Sequence, residues 1–315
     1  MTPSPFLSTQ SPVCPPELLT RAAAGTPPRV AIAAAGAPLP MQAARAATLA
    51  GIMVPVFVGD AAEIRTEAGA LDWDIGRFRV LDAKGEAAAG FAAARLCGAG
   101  EADVLMKGQL HTDAFMKAAL NHEAGLRTGR RLVHVFHISH PDGGRPMLVS
   151  DAAVNVAPDI ETRRDATRAV VEMLRTLGSD RPKVAFLSAT ESVIASVPSS
   201  MEARELRDWA AVAFTSADFA GPLALDLILS REAARIKGLA DDPVAGNADA
   251  IIVPDIVSGN AVFKALVYLG GGCAGGIVLG AKVPILLTSR ADPAAARLAS
   301  VALAAILHHS NGATE

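Results

Sequence analysis

The sequence predicts an α/β protein whose parallel sheets are covered by alanine-rich helices, and three observations lead there. The 315 residues are 51% hydrophobic but only 4% aromatic, so the core must be built mainly from Ala, Val, Leu and Ile. Short apolar runs alternate with helical patterns along most of the chain, which is the rhythm of βαβ units. Several of those runs end in a small residue, a polar group and a helix start, the arrangement found where open α/β sheets bind ligands.

Taken in order, residues 1–28 are rich in Pro and Ser and are expected to be poorly ordered. An apolar run at 30–35, a helical pattern at 41–50 and a second run at 52–58 form the first βαβ unit. Helical patterns at 86–97 and 112–124 flank a strand at 103–106. Runs at 132–138 and 145–150 enclose Pro141, Asp142, Gly143 and Gly144, which predicts an antiparallel hairpin joining two α/β lobes. The rhythm then restarts: a helix at 159–177, a strand at 184–187, a helix at 201–212 and a strand at 250–253. A helix opening at Asn260, strands at 276–279 and 283–287, and a last helix at 293–307 complete the set.

Composition excludes several classes. A net charge of −3 is far from the basic balance of a nucleic-acid binder. Cys14, Cys97 and Cys273 are scattered and odd in number, which indicates neither a disulfide framework nor a zinc knuckle and fits a reduced, cytoplasmic compartment. The first twenty residues lack the basic start and apolar core of a secretory signal. The most apolar stretch, 265–281, is broken by six glycines and reads as turns around a strand, so no membrane partner is expected.

Four segments carry candidate chemistry. Lys107 and Gly108 follow the 103–106 strand, Thr112 can cap the next helix, and Lys107 and Lys117 add charge to a helix N-terminus suited to anions. Asp255 to Lys264 repeats the design with Ser258, Gly259 and Asn260, where Ser258 or Asn260 can equally be an ordinary N-cap. Ser289 and Arg290 at a strand end can present a hydroxyl and a guanidinium to one phosphate, while Asp292 before Pro293 has the neighbours of an N-cap. Asp151 and Asn155 follow the hairpin and can either bridge the lobes or line a site. Gly270 to Gly275 matches GxGxxG, yet it follows a helix and precedes a strand, the reverse of a dinucleotide fingerprint. His134, His137 and His140 alternate across a strand, with 137 facing away from the other two, so they do not form a metal centre.

In order along the chain, Val104-Leu-Met-Lys-Gly108, Thr112 to Lys117, Gly125-Leu-Arg-Thr-Gly129, Ser150 to Asp159, Gly221 to Asp226, Pro243 to Asp249, Ser258-Gly-Asn260 and Leu287 to Asp292 resemble the phosphate acetyl/butyryltransferase family, in particular its phosphate butyryltransferase branch. The resemblance implies two lobes like those of isocitrate and isopropylmalate dehydrogenases: 29–150 with 289–315, and 151–288, the second carrying a homodimer contact. It implies acyl-CoA, phosphate and acyl phosphate as partners, coenzyme A as a substrate, no cofactor and no metal. It also implies Ser289, Arg290 and Asp292 as catalytic residues, with Lys107, Gly108, Thr112, Lys117, Asp151, Asn155, Ser258, Gly259 and Asn260 on the substrates. The acetyltransferase branch has an Arg at a helix start where Lys117 stands here, and an Asp seven residues beyond its Ser where Ala296 stands, leaving Asp292 as the nearest carboxylate to serve the thiol. The expected chemistry is direct attack of the CoA thiolate on the acyl carbon while Arg290 and helix N–H groups hold the phosphate. Two alternatives stay open at this point: a metal- and NAD-dependent decarboxylating dehydrogenase, and a CoA-binding homologue without catalysis.

Overall fold

A computed structural model describes residues 4–287 and 292–312. Within the first unit, Pro12–Leu132 with Gly275–Glu315, the chain starts as α1 (Pro16–Ala22). Leu18 and Ala22, one helical turn apart, are buried against the chain's last helix, so part of the segment expected to be disordered has an apolar anchor. Then come β1 (Arg29–Ala33), α2 (Pro38–Leu49), β2 (Val54–Gly59), α3 (Ala61–Ala70), β3 (Arg79–Asp82), α4 (Glu86–Gly98), β4 (Val104–Lys107) and α5 (Thr112–Leu120).

The second unit, Val133–Ala274 with Met1–Ser11, holds β5 (Val133–Ser139), β6 (Met147–Ser150), α6 (Ile160–Thr176), β7 (Lys183–Leu187), α7 (Pro198–Ala213) and β8 (Asp218–Leu223). It continues with α8 (Leu225–Leu229), α9 (Arg231–Ile236), β9 (Ala250–Ile252) and α10 (Ile256–Lys264), which runs into a π-helical turn at Ala265–Leu269. The chain returns to the first unit through β10 (Cys273–Leu279), β11 (Ile285–Leu286) and α11 (Ala294–Gly312).

The strand order in the first unit is β3-β2-β1-β4-β11-β10, parallel except where β11 meets β10. Val30, Ala31, Ile32 and Ala33 of the central strand have no exposed surface, as expected of a parallel sheet covered on both faces. The second unit orders its strands β5-β6-β9-β7-β8, and the expected hairpin β5–β6 is its antiparallel pair. Because β6 runs parallel to β9, with Leu148 opposite Ala250, the hairpin belongs to the second unit and the division falls after Leu132, not after 150. Likewise Ile285 lies opposite Leu105 of β4, so residues 275–288 join the first unit rather than the second.

Local chemistry sets the helix starts. Asp60 caps α3 by accepting from the N–H groups of Ala62 and Glu63. Asp255 caps α10 through the N–H of Ser258, so that helix opens at Ile256, one turn before the Asn260 start read from the sequence. In α4 the buried face is Ala89, Gly90, Ala93, Ala94, Leu96 and Cys97, small enough to let α5 approach closely. A Cβ on Gly98 would lie 1.7 Å from the carbonyl oxygen of Ala124, inside backbone that has no rotamer to yield. Gly98→Ala is therefore expected to cost about 2–4 kcal/mol of unfolding free energy, measured by urea denaturation, whereas Gly100→Ala, with open space around it, pays only for its left-handed φ of 74°.

Candidate active site

The first unit gathers its candidate residues at the carboxyl ends of β1 to β4. Ala34 leaves β1 with φ of 54°, a left-handed conformation uncommon for a residue with a side chain. The turn lets the carbonyls of Ala33 and Ala34 accept from the N–H groups of Gly108 and Gln109, each at 2.8 Å. A Cβ on Gly108 would meet those same two oxygens at 2.4 and 2.5 Å, so only glycine fits there. Lys107 is the last residue of β4 and is buried, an uncommon setting for an ammonium group.

The loop that follows is held by a residue the sequence reading did not single out. Glu86, first in α4, accepts from the backbone N–H of His111 at 3.1 Å and lies 2.9 Å from its ring Nδ1. These two bonds, with the nearby Lys107 and His111 charges, hold the Glu86 carboxyl below the usual range. His111, and not Thr112, occupies the N-cap of α5. Thr112 is its first residue and is exposed, and the exposed Lys117 stands in the last turn, away from the helix start that the resemblance assigned it. A cavity of about 240 Å³ opens beside this loop, lined by Gly36, Gly59, Asp60, Lys84, Glu86 and Gln109 among others.

The second unit builds its own cluster where β6 and β9 end side by side. Asp151 is 3% exposed, and its carboxylate accepts four hydrogen bonds. Oδ1 takes the N–H groups of Ala153 and Val154; Oδ2 takes the backbone N–H of His134 and the side-chain amide of Asn155. Bonds to a charged group are worth about 1.5–3 kcal/mol each, so Asp151 organises the loop as an anion already satisfied. Gly259 of α10 closes over it, since a Cβ there would come within 2.9 Å of the Asp151 carbonyl oxygen. The Ser258 hydroxyl donates to Asp255 and so completes the helix cap, while Asn260 is half-buried on the next position. Asp151, Asn155, Ser258, Gly259 and Asn260 thus share one strand-end cluster.

His134 packs its ring against Phe136 with centroids 4.2 Å apart, and Phe136 stacks on Phe263. Its Nδ1 is buried without a partner, and burial pushes its pKa down to about 4 against the opposing pull of Asp151. Among the described residues no group of three or more His, Cys, Asp or Glu is arranged to hold a metal ion. Burial also raises the thiols of Cys97 and Cys273, to about 12 and about 11, and Cys14 is buried as well, so these thiols are poorly suited to act as nucleophiles. A wider cavity of about 750 Å³ lies on the α6–α7 face, where Arg164 reaches Glu161 and Glu205.

Ser289 and Arg290 lie outside the described residues. Asp292 sits at the start of the last helix. α11 opens at Ala294, and the carbonyl of Pro293 accepts from the N–H groups of Ala296 and Arg297, one residue later than a cap at Asp292 would place it. The Asp292 carbonyl accepts from Nη1 of Arg297 at 2.5 Å. Ala296, standing where the acetyltransferase pattern carries its carboxylate, is buried in the first turn.

Residues 87–305 match the family model described as Phosphate acetyl/butaryl transferase. A phosphate acetyltransferase of Rhizobium meliloti is 42% identical over 257 residues, 81% of each chain. A phosphate butyryltransferase of Clostridium acetobutylicum is 35% identical, covering 89% of this chain and 93% of the relative. Among solved structures, a branched-chain phosphotransacylase from Enterococcus faecalis superimposes with a TM-score of 0.78 at 31% identity, covering 89% of this chain and 99% of that one.

The buried, neutral His134 gives a pH test. Its folded pKa lies below the unfolded value of 6.5, so the unfolded chain binds the extra proton and stability falls as pH drops from about 6.5 toward about 4. Between pH 7.5 and 5, urea unfolding should show the wild type losing on the order of 2 kcal/mol more than His134→Gln. Equal losses would mean that His134 is not held neutral by the fold.

Proposed function

This chain belongs to the phosphate acetyl/butyryl transferase family, and we propose that it exchanges the CoA thiol of an acyl-CoA for inorganic phosphate by direct transfer, giving an acyl phosphate and free CoA. The observation that carries this reading is the family match, which runs through both clusters and into α11. A dehydrogenase on the same fold is not favoured, because the relatives matched over most of the chain are acyltransferases.

The residues support direct transfer. In the forward sense, phosphate oxygen attacks the thioester carbon and CoA leaves as the thiolate. In reverse, the thiolate attacks the acyl phosphate and phosphate leaves. Cationic and N–H donors are needed at the phosphate in both directions, because it is the nucleophile in one and the leaving group in the other. Arg290, just before α11, is the main phosphate anchor, with Ser289 donating its hydroxyl. Lys107 supplies a further donor at the end of β4, where Gly108 turns the chain, and the second cluster, with Asn155 and Asn260, serves the acyl-CoA. The buried cysteines leave no obvious protein nucleophile among the described residues, in keeping with a ternary complex.

Phosphate-dependent release of free CoA from acyl-CoA thioesters of two to five carbons tests the activity, and no release with any of them would refute it. Arg290→Ala should slow turnover about 30- to 1000-fold with little change in melting, as expected for the loss of one charge-assisted bond to a transferring phosphate. Asp292→Asn should remain active. If that variant folds normally and is inactive across the pH range, Asp292 is the thiol base and its role as a helix-start residue is secondary.

A further inference from the structure

We propose that Asp151 is a positioning residue: it orients the side-chain amide of Asn155 toward acyl-CoA and touches no substrate itself. The proposal rests on the acyltransferase reading for its ligand and on the geometry of the second unit for its mechanism.

An ionised carboxylate has about four lone-pair sites. In Asp151 both oxygens accept twice. Oδ1 lies 2.9 Å from the N–H groups of both Ala153 and Val154. Oδ2 lies 3.0 Å from the N–H of His134 and 2.6 Å from Nδ2 of Asn155. The residue is 3% exposed, and Gly259 covers its backbone, since a Cβ there would meet the Asp151 carbonyl oxygen at 2.9 Å and Cα of Ala152 at 3.0 Å. A carboxylate so saturated and covered has no acceptor left for a ligand donor or for the proton of a thiol. Its influence on a substrate must pass through what it holds.

Three of its four donors are backbone N–H groups, which fix the carboxylate between β5 and the loop after β6. The fourth, Asn155, is a half-buried side chain, and its charge-assisted bond is the shortest of the four. An Asn amide has a donor end and an acceptor end, and only the NH2 end can meet an ionised carboxylate. The carbonyl end of Asn155 is therefore turned away from Asp151. The buried carboxylate thus decides which end of the amide the strand-end cluster presents.

Asp151→Asn puts an NH2 where one oxygen stood, and on either side it faces donors. On the Oδ1 side both donors are backbone and cannot turn, whereas on the Oδ2 side Asn155 can. The less costly arrangement places the new NH2 on the Oδ2 side and turns the Asn155 amide end for end. A reversed amide should weaken acyl-CoA binding about 10-fold, the scale of one hydrogen bond lost with its partner left unmatched.

The test is a double-mutant cycle on the full chain with Asp151→Asn, Asn155→Ala and both together. Each single change should raise KM for acyl-CoA about 10-fold and leave kcat and KM for phosphate within about twofold. The double variant should also stay near 10-fold, because the second change removes a contact already lost. Effects that multiply to about 100-fold overturn the proposal, since two independent contacts would then serve the substrate. Lower melting with unchanged KM values overturns it as well, and so does a collapse of kcat at constant KM. If the Asp151 variants do not fold, nuclear magnetic resonance of the wild type decides, with the Asn155 side-chain amide assigned by its loss in Asn155→Ala. Slow hydrogen exchange of that amide before CoA is added supports the proposal, and exchange as fast as in an exposed Asn overturns it. A wild type that transfers no acyl group defeats the acyltransferase reading instead, and calorimetric titration of the same variants with CoA, read through the same cycle, still decides the role of Asp151.

Discussion

A charge taken out of water needs a partner, and that requirement organises both units of this protein. Asp151 meets it with four donors drawn from a strand, a loop and a side-chain amide, which shapes the end of β6. Asp249 meets it with Arg145 and the backbone N–H of Lys183, which ties the start of β9 to β7. Arg163 meets it with Glu202 across α6 and α7. Each of these is a closed internal match with a structural result. In the first unit, Arg297 at the start of α11 donates through Nη1 to the Asp292 carbonyl, while its Nε is buried with no partner.

The second constraint is steric. The Ala- and Gly-rich faces of α4 and the turn after β4 bring backbone within reach of backbone, as Gly98 and Gly108 show. In this family's reaction the reacting parts are a phosphate and a thioester. Sheets with bare strand ends and helix N-termini offer N–H groups to such anions without needing a large side chain for each contact.

Much of this was legible in the sequence. Long apolar runs with flanking helices identified β1, β2, β4, β7 and β9, and the Pro-Asp-Gly-Gly turn identified the β5–β6 hairpin. β3 is hard to read from sequence because its two apolar residues, Val80 and Leu81, are adjacent and only half-buried between the exposed Arg79 and Asp82, so no apolar face alternates. β8 contains Gly221 and Pro222, residues that argue against a strand when seen without their neighbours. The family resemblance, carried by segments in order, held against the relatives. Individual partners were harder. The four donors to Asp151 include one from a neighbouring strand seventeen residues away, and nothing local announces it. Arg297 in an alanine-rich helix reads as a solvated charge, and its burial is visible only once α11 is packed.

Acyl transfer to phosphate can proceed directly or through an acyl-enzyme. Exchange of labelled inorganic phosphate into acetyl or butyryl phosphate, followed with and without CoA, separates the possibilities. Direct transfer predicts rapid exchange in the presence of CoA and none in its absence, because the acyl group has nowhere to reside once phosphate leaves. Exchange that proceeds without CoA would show the acyl group held on the protein and would contradict the account.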